Sequence, residues 1–266
     1  MHDFELVRPT SLADAVTAFG AGGEAAWLAG GHTLLPAMKA RLRAPERLID
    51  LTGIPGLAAI TRDGDRLWIG ALATHAAIAN DATVAAAIPG LAAAALLVGD
   101  PQVRNRGTIG GVIANNDPAA DYPAACLALD AVIETDRSSH AAQDYFQGMF
   151  ATALEDGEII TRVGFRVPDA SAYAKFRHPA SRYAVAAVYV ARFGAEVRVA
   201  VTGAGPGAFR WAEAEAALAA HFDVSAVAGL VLPDDDLSAD IHASAEYRAH
   251  LCGVMLRQAV TQLQTR

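Results

Sequence analysis

Apolar positions recur along the chain with two alternating periods. Residues 4–8 read as a strand. Leu12–Phe19 has helical spacing, with Thr10 or Ser11 to cap it and Asp14 placed for a capping box. Residues 20–23 turn the chain into an apolar strand at 25–29. Residues 34–43 predict a second helix, stopped by Pro45 before a third strand at 48–51. This β-α-β-α-β run has the length of a small α/β unit. Runs at 57–61 and 66–69 flank Arg62-Asp63-Gly64-Asp65, a hairpin signal. Thr74 and Asp81 predict caps for helices His75–Asn80 and Ala82–Ala87, and 92–98 continues the helical layer. Strands are expected at 131–135 and 159–167, with a brief helical turn at Tyr145-Phe146. Residues 54–167 thus read as an antiparallel sheet with helices beside it.

A polar link, Pro168-Asp169-Ala170-Ser171, marks a boundary. Beyond it, 173–178, 185–193 and 196–201 read as three strands, the last two joined at Gly194-Ala195. Helices follow at 211–221 and 224–230. The longest helix spans 245–263, with Leu251, Val254, Met255 and Val260 near one face. Residues 232–240 are acidic and read as exposed. The fold class is α+β.

The 266 residues suffice for two domains. Hydrophobic residues make up 53 %, yet no run is both long and uncharged enough to span a bilayer, and the N-terminus has no signal-peptide pattern. A cytoplasmic protein is expected. The net charge of −8 has no basic stripe, which argues against nucleic acid as a partner. Two cysteines, Cys126 and Cys252, read as buried thiols and cannot supply an iron–sulfur cluster. The histidines are scattered without metal-ligand spacing, and no nucleophile–base motif is present.

The chemistry concentrates in two stretches. Residues 104–123, RNRGTIGGVIANNDPAADYP, combine a glycine pair with short hydrogen-bonding side chains ahead of an apolar, helix-like run at 124–129. The free N–H groups of a helix start suit an anion. A plain loop with Asx turns is the alternative. The second stretch, Ala29-Gly30-Gly31-His32-Thr33, sits between a strand-like and a helix-like run. Two glycine-pair loops at strand–helix transitions suggest one long diphosphate ligand held from two sides. Neither pair completes GxGxxG, so a Rossmann site fits poorly.

AGGHT at 29–33, TIGGV at 108–112 and ANNDPAADYPAA together resemble the FAD-binding flavoprotein (medium) subunits of the molybdenum hydroxylases, the family of aerobic carbon monoxide dehydrogenase and xanthine dehydrogenase. The likeness runs nearly the whole chain. It implies a two-subdomain FAD-binding fold of the vanillyl-alcohol-oxidase/PCMH type over 1–168, divided near residue 53. A C-terminal domain over 172–266, a three-stranded antiparallel sheet with helices, completes it. The cofactor implied is FAD. The partners implied are a molybdopterin-binding large subunit and a 2Fe–2S small subunit, with quinone, NAD or dioxygen as electron acceptor.

The resemblance also implies site residues. Ala29, Gly30, Gly31, His32 and Thr33 form the first phosphate loop, the His32 ring merely packing or facing solvent. Thr108, Ile109, Gly110, Gly111 and Val112 form a second loop along the ribityl-diphosphate and flavin edge. Asn115 steadies the turn or touches the cofactor. Asp121 hydrogen-bonds FAD, or caps the following helix, or both. Ile160 gives an apolar contact or ordinary core. Lys175 brings a cation to the flavin pyrimidine edge, against the alternative of an exposed lysine. Tyr183 lies over the flavin ring, or starts a strand as a core residue. At Arg177-His178-Pro179-Ala180 the sequence departs from the family's more basic run. The function implied is electron transfer from the 2Fe–2S partner through FAD to the acceptor. Two alternatives stand beside it: a stand-alone FAD oxidoreductase using a nicotinamide, and a flavin-free assembly subunit, which the intact glycine pairs argue against.

Overall fold

In the computed structural model, which describes residues 1–265, three larger sheets follow one another along the chain, with a two-stranded hairpin, Phe146–Gly148 and Ala151–Thr152, beside the second. The first is parallel, in the order Glu5–Val7, Arg47–Asp50, Ala25–Leu28, with Leu12–Phe19 and Leu34–Lys39 as its crossover helices. The Ser11 hydroxyl caps the first helix, accepting from the Asp14 N–H at 3.1 Å. The second helix ends earlier than its apolar pattern suggests. The chain turns at Arg41, whose φ is 61°.

The second sheet is antiparallel, in the order Ile60–Asp63, Arg66–Gly70, Ile160–Arg166, Val132–Thr135, Ser139–Ala141. The first strand of its opening hairpin lies two to three residues later than expected while the second begins at Arg66 as expected, because Gly64 (φ 58°) and Asp65 make the turn and pair Asp63 with Arg66. Six short helices fill the interval between Gly70 and Val132. One of them, Pro89–Leu96, begins three residues before the expected helical run at 92–98, because proline suits the first turn of a helix.

The third sheet has four strands where three are expected: Ala170–Arg177, Ala184–Phe193, Glu196–Thr202 and Phe209–Arg210. The fourth is only two residues long, too short to leave a periodic signal. The expected link at 168–171 is also shorter. Ala170 and Ser171 already pair with Arg192 and Ala191, and the Ser171 hydroxyl accepts from the Gly90 N–H at 3.1 Å. Strand Ala184–Phe193 is buried along nearly its whole length. One face of this sheet, carrying Tyr173, Tyr189 and Ala187, joins the core around Leu91, Ala125 and Tyr122. The other face packs on the long helix Ala245–Gln264 through Val188, Val190, Leu256 and Val260. A strand covered on both sides reads as continuously apolar rather than alternating. No helix of the described residues is long and apolar enough to cross a membrane.

Candidate functional site

A cleft of about 660 Å³ runs between the parallel sheet, the helices above the antiparallel sheet and the first hairpin of the third sheet. That volume lies in the range of roughly 300–1,000 Å³ usual for small-molecule and cofactor sites. Both glycine pairs line it, and they differ in kind.

The first pair sits in the turn after strand Ala25–Leu28. Gly31 has φ 73°, which a side chain would strain. Among the described residues none accepts a hydrogen bond from the N–H groups of Gly30, Gly31, His32 or Thr33. Four successive unmet donors in the wall of a cleft form a seat for an anion. Gly30 serves a different purpose. A Cβ there would collide with the Arg106 carbonyl and lie 2.8 Å from the Gly107 Cα. Its missing side chain lets the two glycine segments touch each other.

The second pair is not a loop. Thr108 caps the helix Ile109–Asn115, its hydroxyl accepting from the Gly111 N–H at 3.2 Å, and the glycines form the helix's first turn. Its N–H groups are taken: Ile109 donates to Ala73 (3.1 Å), Gly110 to Ala71 (2.8 Å) and Val112 to Thr108 (3.1 Å). Gly110 packs on Ala71, where a Cβ would meet the Ala71 Cβ at 2.6 Å. Both glycines line the cleft, but Gly110 is buried and Gly111 is the exposed one. Its added Cβ would touch nothing but the capping Thr108 hydroxyl, at 3.1 Å. This turn offers a bare surface for close approach, not donors.

The cleft floor holds His75 and Tyr122, both buried, with His75 Nδ1 and the Tyr122 hydroxyl 3.1 Å apart. Burial, and then the nearby His32 and Arg104, push His75 down to about 4, so it is neutral at physiological pH. Its ring occupies the place a Gly107 side chain would take. At one end Trp27 stacks on Phe19, centroids 4.4 Å apart, and the indole N–H is buried without an acceptor. Glu158 also lines the cleft, next to Gly157, which packs on Phe19, and burial opposes its ionisation. Hydrogen bonds from the Ser138 and Thr135 hydroxyls and the Glu155 N–H outweigh it and hold the carboxyl at about 2.

All of the residues expected at the site line this cleft except two. Ile109 is fully buried in the core beneath the helix. The Lys175 ammonium is sealed behind Asp121, 2.8 Å from Oδ1, and also donates to the Leu97 carbonyl at 3.2 Å. Asp121 stands in the wall but does not cap its helix; no N–H of Tyr122–Ala128 donates to its side chain. Ile160 is both core and cleft wall. Tyr183 is half-exposed at the rim, not core, and His32 is exposed. The sequence pattern gives no hint of His75 or Trp27. One reads as the first residue of a capped helix and the other as a strand residue. Only the fold brings them to one cavity.

Residues 2–169 match the family described as the FAD binding domain in molybdopterin dehydrogenase. The chain is 38 % identical to the carbon monoxide dehydrogenase medium chain of Afipia carboxidovorans, over 99 % of this chain and 97 % of that one. It is 35 % identical to the nicotine 6-hydroxylase medium subunit of Paenarthrobacter nicotinovorans, over 97 % and 96 %. Its fold superposes on a chain of reconstituted CO dehydrogenase from Oligotropha carboxidovorans with a TM-score of 0.87 and 36 % identity, covering 100 % and 99 % of the two chains.

Proposed function

The chain belongs to the FAD-binding medium subunits of the molybdenum hydroxylases, and from that premise we propose that it carries electrons from a 2Fe–2S partner subunit to an external acceptor. Its cofactor is FAD. Bound FAD supplies chemistry that no protein side chain can, exchanging electrons singly or in pairs.

One observation carries the site assignment. Four unmet N–H groups at Gly30–Thr33 share a cleft with the bare Gly111 turn. The donors suit a diphosphate, and the bare turn admits a bulky ligand against the backbone. Thr108, Asn115 and Asp121 add short polar groups, and Asp121 suits hydroxyls rather than phosphate, which it would repel. The orphaned Trp27 N–H marks a further place for an acceptor atom. The fit to an elongated ligand with an anionic middle is good.

The two cysteines are buried and unpaired, and residues of the chain hold neither a cluster nor a pterin domain in this reading. Substrate oxidation then belongs to a molybdopterin-binding large subunit. The FAD-binding part, in this reading, spans 1–168 as two subdomains of the PCMH type, and the part beyond 172 closes the cleft through Ser181–Tyr183. The test is anaerobic mixing of the FAD-loaded chain with a chemically reduced 2Fe–2S small subunit. Loss of the visible flavin band supports the relay. A chain that oxidises the complex's substrate without partners sinks it and favours a stand-alone oxidoreductase.

A further inference from the structure

Asp121 occupies the position from which an aspartate ordinarily caps its own helix. Its backbone is already helical there (φ −77°, ψ −41°), and its carboxylate has been captured from another part of the chain. Tyr173 and Lys175 are two residues apart on strand Ala170–Arg177, so they leave the same face of the sheet. Both reach Asp121. The Tyr173 hydroxyl donates to Oδ1, and Lys175 Nζ lies 2.8 Å from Oδ1 and 3.0 Å from Oδ2. Tyr173 is 3 % exposed and the Lys175 side chain 1 %. Neither opens on the cleft; Asp121 does.

A buried carboxylate stays charged only with a counter-ion and donors. Burial raises Asp121 above its ordinary range, and Lys175 and the Tyr173 hydroxyl offset that only in part; the ion pair with Lys175, at 2.8 Å, is what favours the charged form. An ionised carboxylate has about four acceptor positions, so acceptor capacity remains on the cleft side.

We propose that Tyr173 is a positioning residue for the cofactor. With Lys175 it turns the Asp121 carboxylate away from its own helix and presents it in the cleft wall as an ionised acceptor for a hydroxyl or ring N–H of the ligand. The inference rests on the flavin reading above. It moves the work expected of Lys175 one residue back from the ligand, and it gives the strand following the link at Pro168-Asp169 a direct part in the binding site. The other ionisable groups that bear on this corner are Tyr122 of the same helix, Tyr183 at the rim and Asp117 of the preceding turn. Burial pushes both phenols upward, so neither ionises near neutral pH.

The test uses the whole chain, stripped of flavin and titrated with FAD by fluorescence quenching from mildly acidic to neutral pH. Tyr173→Phe keeps the ring and removes only the O–H. It is expected to raise the Kd about ten-fold. It also moves the acid-side loss of binding to higher pH, because the carboxylate has lost a donor to its charged form. In an Asp121→Asn background the same change adds nothing, since the two residues act as a unit. Should Tyr173→Phe fail to fold, Lys175→Gln carries the same expectations. Wild-type binding with an unchanged Kd and unchanged pH limb in the variant overturns this inference and leaves the flavin reading standing. A wild-type chain that retains no FAD, alone or with its partners, overturns both.

Discussion

Gly30 and Gly107 meet backbone to backbone, and the His75 ring fills the other side of Gly107. This three-layer stack fixes the distance between the two glycine segments before any ligand arrives. Gly30→Ala must push Arg106 away or distort the turn, which costs about 1–3 kcal/mol for an overpacked site. The expected result is a lower melting temperature together with weaker FAD retention, read by calorimetry and by absorbance after desalting. Acid acts at the same place. His75 has a folded value of about 4 against 6.5 unfolded, and Glu158 about 2 against 4.5. Both are lowered in the fold, so stability is complete above pH 6.5. His75 forfeits its share as pH falls from 6.5 to 4, and Glu158 its share from 4.5 to 2. The His75 share is at most about 3 kcal/mol. Denaturant midpoints of His75→Phe should be flatter than wild type between pH 6.5 and 4 and parallel to it above. At this scale the sequence shows chemistry but not direction. The polar groups of 108–121 stand out in the string. That Lys175 faces Asp121 and not the cleft depends on which side of a sheet a strand presents, and no local pattern records it.

The second glycine motif folds differently from what its composition suggests. Its composition reads as a loop, yet Thr108 caps it into a helix held to Ala71 and Ala73 by two backbone hydrogen bonds, beside the single antiparallel bridge Thr74–Thr108. Glycine weakens a helix by only about 1 kcal/mol per residue, and tertiary hydrogen bonds override that readily. The helix ends at Asn116, whose φ is 44° and whose side-chain amide donates to the Gly148 and Ala151 carbonyls, both at 2.8 Å. Asparagine tolerates this conformation better than most residues. Asn116→Ala should release the hairpin Phe146–Gly148/Ala151–Thr152 and cost about 2 kcal/mol. Hydrogen exchange ought to accelerate at Phe150, which donates to the Asn116 carbonyl, and not in strand Ile160–Arg166. Long elements with strong periods are legible in advance, among them Leu12–Phe19, the strands of the third sheet and the final helix. The two-residue strands and the four-residue helix Pro101–Arg104 are not, because nothing in so short a run repeats.

Across the whole molecule, the core does not respect the boundary that composition suggests. Tyr173 and Tyr189 of the third sheet pack with Leu91 and Ala125 from the helical layer, and Gly90 lies against Ser171 and Tyr189. The full chain is therefore expected to unfold in a single calorimetric transition, and a fragment of residues 1–168 to expose an apolar face and bind a hydrophobic dye. Two separated transitions would show that the two parts are independent. The substrate lies beyond what this chain encodes, since in the proposed relay it is oxidised on another subunit.

FAD is expected between the Gly30–Thr33 turn and the bare face of Gly111. The most direct test is the visible spectrum of the chain after loading with FAD and desalting, wild type beside Gly111→Val. An added Cβ at Gly111 meets only the Thr108 hydroxyl, at 3.1 Å, which must give by a few tenths of an ångström, so the variant should fold, and its melting temperature is measured beside wild type to show that it has. It should lose the flavin bands that wild type keeps. A correctly folded Gly111→Val that retains FAD in full would contradict the account.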